Sequence, residues 1–128
     1  MKEWHFEEKV YKRRVVLMVG THEEFIAAMH KAKYIYVDDL VKSGGYNIRL
    51  TYENSDCSMT IVWLPKFSGG SLAHELVHLV MNTFDNANVP IAYDNEEAFA
   101  YYMEYWFREM NRVYKRFPGG RTVKEAKK

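Results

Sequence analysis

A chain of 128 residues is long enough for one domain with a single sizeable core. Apolar residues make up 48% and charged residues 27%, which excludes a disordered chain. The formal net charge of +1 excludes a bulk field that would draw the protein to nucleic acid or to anionic membrane. The lone cysteine, Cys57, excludes an internal disulfide and a four-cysteine zinc module. No apolar run reaches membrane-spanning length and the first residues lack a signal-peptide stretch, so the expected setting is reducing and cytoplasmic. Charge is unevenly spread. "KVYKRR" and the closing "KRFPGGRTVKEAKK" are basic, whereas residues 85–104 carry Asp85, Asp94, Glu96, Glu97 and Glu104 with no Lys or Arg.

In chain order, "RRVVLMVG" (13–20) reads as a buried strand closed by Gly20. Thr21 and Glu24 stand in capping-box spacing ahead of Phe25, Ile26 and Met29 on one face, which predicts a helix near 21–32. "KYIYV" (33–37) is a short strand candidate and "KSGG" a break. "YNIRLTYE" (46–53) and "CSMTIVWL" (57–64) form a hairpin across "NSD", ended by Pro65. Ser71 is positioned to cap a helix over about 71–85, and Asp85, Asn86 and Asn88 end it before Pro90. A last helix starts at Asp94 or Asn95 and runs to about 116, stopped by "PGG". Residues 1–117 then make one α+β domain with a small mixed sheet, and 118–128 a flexible basic tail.

The chemistry concentrates in "SLAHELVHLV" (71–80). Helix positions i and i+4 share a face, so His74 and His78 can aim two imidazoles at one point. Glu75 lies about 100° round from His74, which suits a base beside a metal rather than a ligand. A catalytic zinc takes three protein ligands and a water, whose pKa it lowers to about 7, and a nearby carboxylate can carry the proton. This is the HExxH pattern of metalloproteases. The bland alternative is a helix with two surface histidines. Leu76, Val77, Leu79, Val80 and Met81 suggest instead a helix buried round much of its circumference, whose histidines need partners. His5, His22 and His30 lie far upstream, so Glu96 and Glu97 are the carboxylates available as third ligand, with 18 residues between His78 and Glu97.

"HELVH" followed at that distance by Glu97 in "NEEAFAY" resembles the gluzincin clan of zinc metallopeptidases, in which an HExxH helix and a glutamate on a following helix hold one zinc. The Glu-x-Phe-Ala wording is similar to the aminopeptidase N-like branch. The Glu-Ala and Phe-Ala elements are similar to metallopeptidases of mobile elements that inactivate phage repressors, and the small size to short HExxH proteins of phages and prophages. The likeness covers about residues 71–106. It implies a zincin-like fold, one Zn2+ per chain held by His74, His78 and Glu97, Glu75 as general base, and a protein or peptide substrate. Glu97 is preferred to Glu96 because it directly precedes Ala98. The chain departs from the clan at Tyr101, where many members carry an acidic residue that orients a histidine. Asn82, Asp94 and Glu104 are the residues open for that part. The aminopeptidases' signature for a free amino end is not recognisable.

The likeness also implies a substrate strand, for which "SMTIVWL" stands in the right place, although it reads equally as an internal strand. Tyr93 and Tyr101 are candidates to stabilise an oxyanion. The aromatic "EAFAYYMEYWFREM" is a core helix first, with homo-oligomerisation through it as the alternative. Cys57 as third ligand would resemble peptide deformylase, but that family's glycine and glutamine motifs are missing. His22 and His30 read as ordinary helix residues. The basic tail lacks aromatics beyond Phe117, against a nucleic-acid role. The competing functions are a zincin-like binding module with structural or vestigial zinc, and a regulatory protease with a single partner substrate such as a repressor.

Overall fold

A computed structural model describes residues 1–31, 46–51 and 58–121. The strand expected over 33–37, the "KSGG" break, the "NSD" turn and Cys57 lie outside the described residues.

The chain enters as β1 (Lys2–Glu8) and returns as β2 (Arg13–Val19), antiparallel, with Phe6 opposite Val15. Sequence reading had missed β1. Trp4, Phe6 and Glu8 alternate inward as a strand requires, but the intervening charged residues hide a run so short. Helix α1 (His22–Lys31) follows, and its start matches the expected capping box. The Thr21 hydroxyl accepts from the Glu24 amide at 3.1 Å, and the Glu24 carboxylate accepts from the Thr21 amide at 3.0 Å. Strands β3 (Tyr46–Thr51) and β4 (Ser58–Leu64) pair antiparallel, Ile48 opposite Ile61, as the hairpin reading expected.

The four-stranded sheet has the order β1-β2-β4-β3, with β2 and β4 parallel, so it is mixed and the domain is α+β. Its two faces are both covered. Val16, Met18, Ile61 and Trp63 pack on Phe25 and Met29 of α1, where the Trp63 and Phe25 rings stack at 4.7 Å. Trp4, Phe6, Val15, Leu17, Val62 and Leu64 pack on the opposite side against α2 (Gly69–Asn86) and α3 (Glu96–Arg116). α2 lies over β4 and β3, and α3 lies over β1, where Trp106 meets Phe6 edge-on at 5.9 Å. Among the described residues, no helix is long and apolar enough to cross a membrane.

One end of α2 corrects the sequence reading and the other agrees with it. The cap of α2 is Ser68, whose hydroxyl accepts from the Ser71 amide at 3.2 Å, so Ser71 is inside the helix. Three residues from cap to bonded amide is the normal spacing, and Gly69 and Gly70 did not stop the helix from starting early. At the other end, Asn88 takes φ 57°, the Val89 amide bonds the Phe84 carbonyl and the Asn88 amide bonds that of Asp85. This Schellman closure turns the chain toward a 3-10 turn (Tyr93–Asn95) that leads into α3.

After α3, residues 118–121, the first part of the expected tail, are tied to β1. The Arg121 amide donates to the Glu3 carbonyl at 2.7 Å, the His5 amide donates to the Arg121 carbonyl at 3.0 Å, and the Trp4 indole donates to the Phe117 carbonyl at 2.6 Å. Gly120 permits the approach: its φ is +106° and a Cβ there would stand 2.7 Å from the Glu3 carbonyl oxygen. Gly120→Ala is therefore expected to cost about 1–3 kcal/mol, lowering the urea midpoint with an unchanged slope. A midpoint equal to wild type would show that this docking adds nothing to stability.

Candidate functional site

The site candidates sit on α2, a helix with a wet face and a dry one. Leu72, Leu76, Leu79, Val80 and Thr83 are buried on the sheet, whereas His74 and His78 are exposed. The expectation of a helix buried round most of its circumference is corrected here, because Val77 and Met81 are exposed as well. Among the described residues, α2 has the sheet on one side and α3 on one flank, and His74, Val77, His78 and Met81 on the remaining surface are exposed.

His74 and His78 come together as the i, i+4 spacing predicts. Their ring centres are 5.2 Å apart and the planes meet at 68°. A tetrahedral ion bound at about 2.1 Å by two imidazole nitrogens, each roughly 1.1 Å from its ring centre, puts those centres ~5.2 Å apart. The distance between the two ring centres therefore matches that of two imidazoles sharing one ion. Glu75 is 6% exposed, and its burial raises its pKa above the usual carboxylate value while His74 and His78 pull it down. One turn beyond His78, Asn82 is the candidate orienting residue that shares this side of the helix. Glu104 pairs with Arg108, and Asp94 is exposed in the turn before α3.

The third ligand is not assembled. Among the described residues, no group of three His, Cys, Asp or Glu is arranged to hold a metal ion. Helical phase shows how the two glutamates stand. α3 runs antiparallel to α2, touching it through Phe99 and Tyr102 on Phe84, and the Phe107 ring lies 4.0 Å from where a Cβ on Gly69 would stand. Glu96 falls on the α3 flank between Phe99 and Phe107, while Glu97 lies about 180° from the buried Trp106, on the outward face. On α2, the flank that meets α3 carries Phe84, and Glu75 is about 180° from it.

The remaining candidates are dispersed. Tyr93 is 89% exposed in the turn and Tyr101 67% exposed on the outward face of α3. His22 and His30 belong to α1, across the sheet from α2, and His5 bonds Glu3 at 3.2 Å. The reading of "SMTIVWL" as a substrate-pairing strand is corrected: β4 is hydrogen-bonded to β2 on one side and β3 on the other, leaving no main-chain edge for a peptide. Among the described residues, β1 and β3 are the terminal strands.

Sequence reading also missed a buried polar anchor. Glu8, at the end of β1, accepts from the Val10 and Tyr11 amides and from the Tyr102 hydroxyl at 2.9 Å. The partners are 94 residues apart, so no local pattern announces them. Burial above all, with the Glu8 carboxylate adding, keeps the Tyr102 hydroxyl protonated far above the ordinary phenol range. Tyr102→Phe should cost about 1–3 kcal/mol by leaving a buried carboxylate short of a donor. A phenol whose folded pKa is raised stabilises the fold below its unfolded value of 10.0, and that contribution is lost as pH rises above it. The wild type should therefore lose more stability than the Phe variant between about pH 9 and 11 in chemical denaturation. Parallel losses would remove Tyr102 from the alkaline response.

No protein-family model, curated protein or solved structure matches this chain.

Proposed function

We propose that this protein is a zinc-dependent hydrolase, zincin-like in fold, that cuts peptide bonds. The observation that carries the reading is the paired presentation of His74 and His78 on the exposed face of α2, their ring centres 5.2 Å apart, a distance that two imidazoles sharing a tetrahedral ion can have. Zinc, when bound, supplies Lewis acidity and a water of lowered pKa. His74 and His78 would hold it. The third protein ligand comes from the start of α3: the clan likeness favours Glu97, the helical phase favours Glu96. Glu75 would take the water's proton and return it to the leaving amine, from a position adjoining both imidazoles. Asn82 would orient the His78 side of the site. The substrate proposed is an extended peptide, which finds main-chain partners only at a terminal strand such as β3.

One observation favours a second reading, a binding module in which the metal is structural or lost. Neither Glu96 nor Glu97 is grouped with the histidines.

Metal analysis of the full-length protein separates the two together with four variants. The hydrolase is expected to carry one zinc per chain, lost in His78→Ala and in whichever of Glu96→Gln and Glu97→Gln removes the third ligand. Glu75→Gln should keep the metal and lose about 10²- to 10⁴-fold in turnover on unstructured protein substrates. Zinc that survives His78→Ala, or a Glu75→Gln protein at full rate, would end the proposal.

A further inference from the structure

We infer that the outward face of α3 is a self-association surface, on which two copies of this chain pack antiparallel about a two-fold axis at the level of Trp106. The face is a seam. Glu97, Tyr101, Glu104, Arg108, Asn111 and Lys115 follow one another at spacings of four, three, four, three and four residues. That alternation keeps them on one line of the helix, the spacing by which two helices pack side by side. The line lies opposite Trp106 and faces solvent.

The charges along the seam are self-complementary in one orientation only. The N-terminal half presents Glu97 and Glu104, the C-terminal half Arg108 and Lys115. Turned about residue 106, Glu97 meets Lys115 of the second copy, Tyr101 meets Asn111, and Glu104 meets Arg108. A parallel alignment would oppose every charge to its like, so repulsion selects the antiparallel pair. The two-fold relation makes each contact occur twice, as an isologous interface requires.

Within one chain the seam's outer charges complement the two ends of α3 but make no ion pair among the described residues. Glu104 pairs with Arg108 and Glu109 with Arg112, but among the described residues Glu97 and Lys115 have no ion-pair partner. The apolar share of the contact comes from Tyr101, on the seam at 67% exposure, with Tyr105 beside it at 43%. Tyr105 flanks the seam close to the axis, where it would meet its own copy. A single helix pair buries an area at the small end of specific interfaces, so association should be concentration-dependent and micromolar in strength.

This inference does not rest on the metal reading. It gives Glu97 to the contact, leaving Glu96 on the flank that faces α2. Sedimentation of the full-length protein from about 5 to 500 μM tests it. A monomer–dimer equilibrium is expected, with Lys115→Glu and Glu97→Lys each weakening it at least tenfold and the combined Glu97→Lys/Lys115→Glu chain recovering most of the loss. Sodium chloride near 1 M, where the Debye length falls to about 3 Å, should also dissociate the wild type without any substitution. A wild type monomeric throughout, single reversals without effect, or a swap that fails to recover would each overturn the inference. Zinc content in Lys115→Glu reports on the metal site separately, because that residue lies outside it.

Discussion

Strand β4 is the constraint on which the rest of the structure depends. It is hydrogen-bonded along both edges, to β2 and β3, and its side chains are buried on both faces. Ile61 and Trp63 draw α1 onto one side, Val62 and Leu64 draw α2 and α3 onto the other. A strand used in this way has no free main chain for a ligand. It acts as the floor beneath α2.

Among the described residues, α2 is covered on two sides. The sheet takes Leu72, Leu76 and Leu79, α3 takes Phe84, and what remains is a solvent-facing arc holding His74 and His78 with Glu75 at its dry margin. The difference in environment between these neighbours is the useful chemistry. Imidazoles in contact with water are available to an ion. The Glu75 carboxyl, withdrawn from water, is held nearer its neutral form than an ordinary glutamate, the direction the proposed proton carrier would need. The long-range bond between Glu8 and Tyr102 helps keep α3 in place beside α2, and the docking of residues 118–121 on β1 closes the far side of the same layer.

Much of this was legible in local pattern. The Thr21–Glu24 capping box, the strand that Gly20 closes, the hairpin partners and the long closing helix follow from periodicity and cap chemistry that operate within a few residues. β1 was not legible, because Lys2, Glu3, Glu7 and Glu8 dilute its apolar alternation. The exposure of Val77 and Met81 was misjudged for a related reason: an apolar side chain on a helix names no partner, and only the position of α3 settles whether one is present.

The pairing of His74 with His78, and the place of Glu75 beside them, were determined by the sequence alone, since four residues make one helical turn whatever surrounds it. The exposure of that pair, the enclosure of β4, the withdrawal of Tyr102 into a bond with Glu8 and the phase of Glu96 and Glu97 relative to α2 were decided only by the tertiary structure. Each of these depends on how two elements distant in sequence are rotated against one another, and that rotation is set by summed burial across the whole core, a quantity that no short window of residues contains.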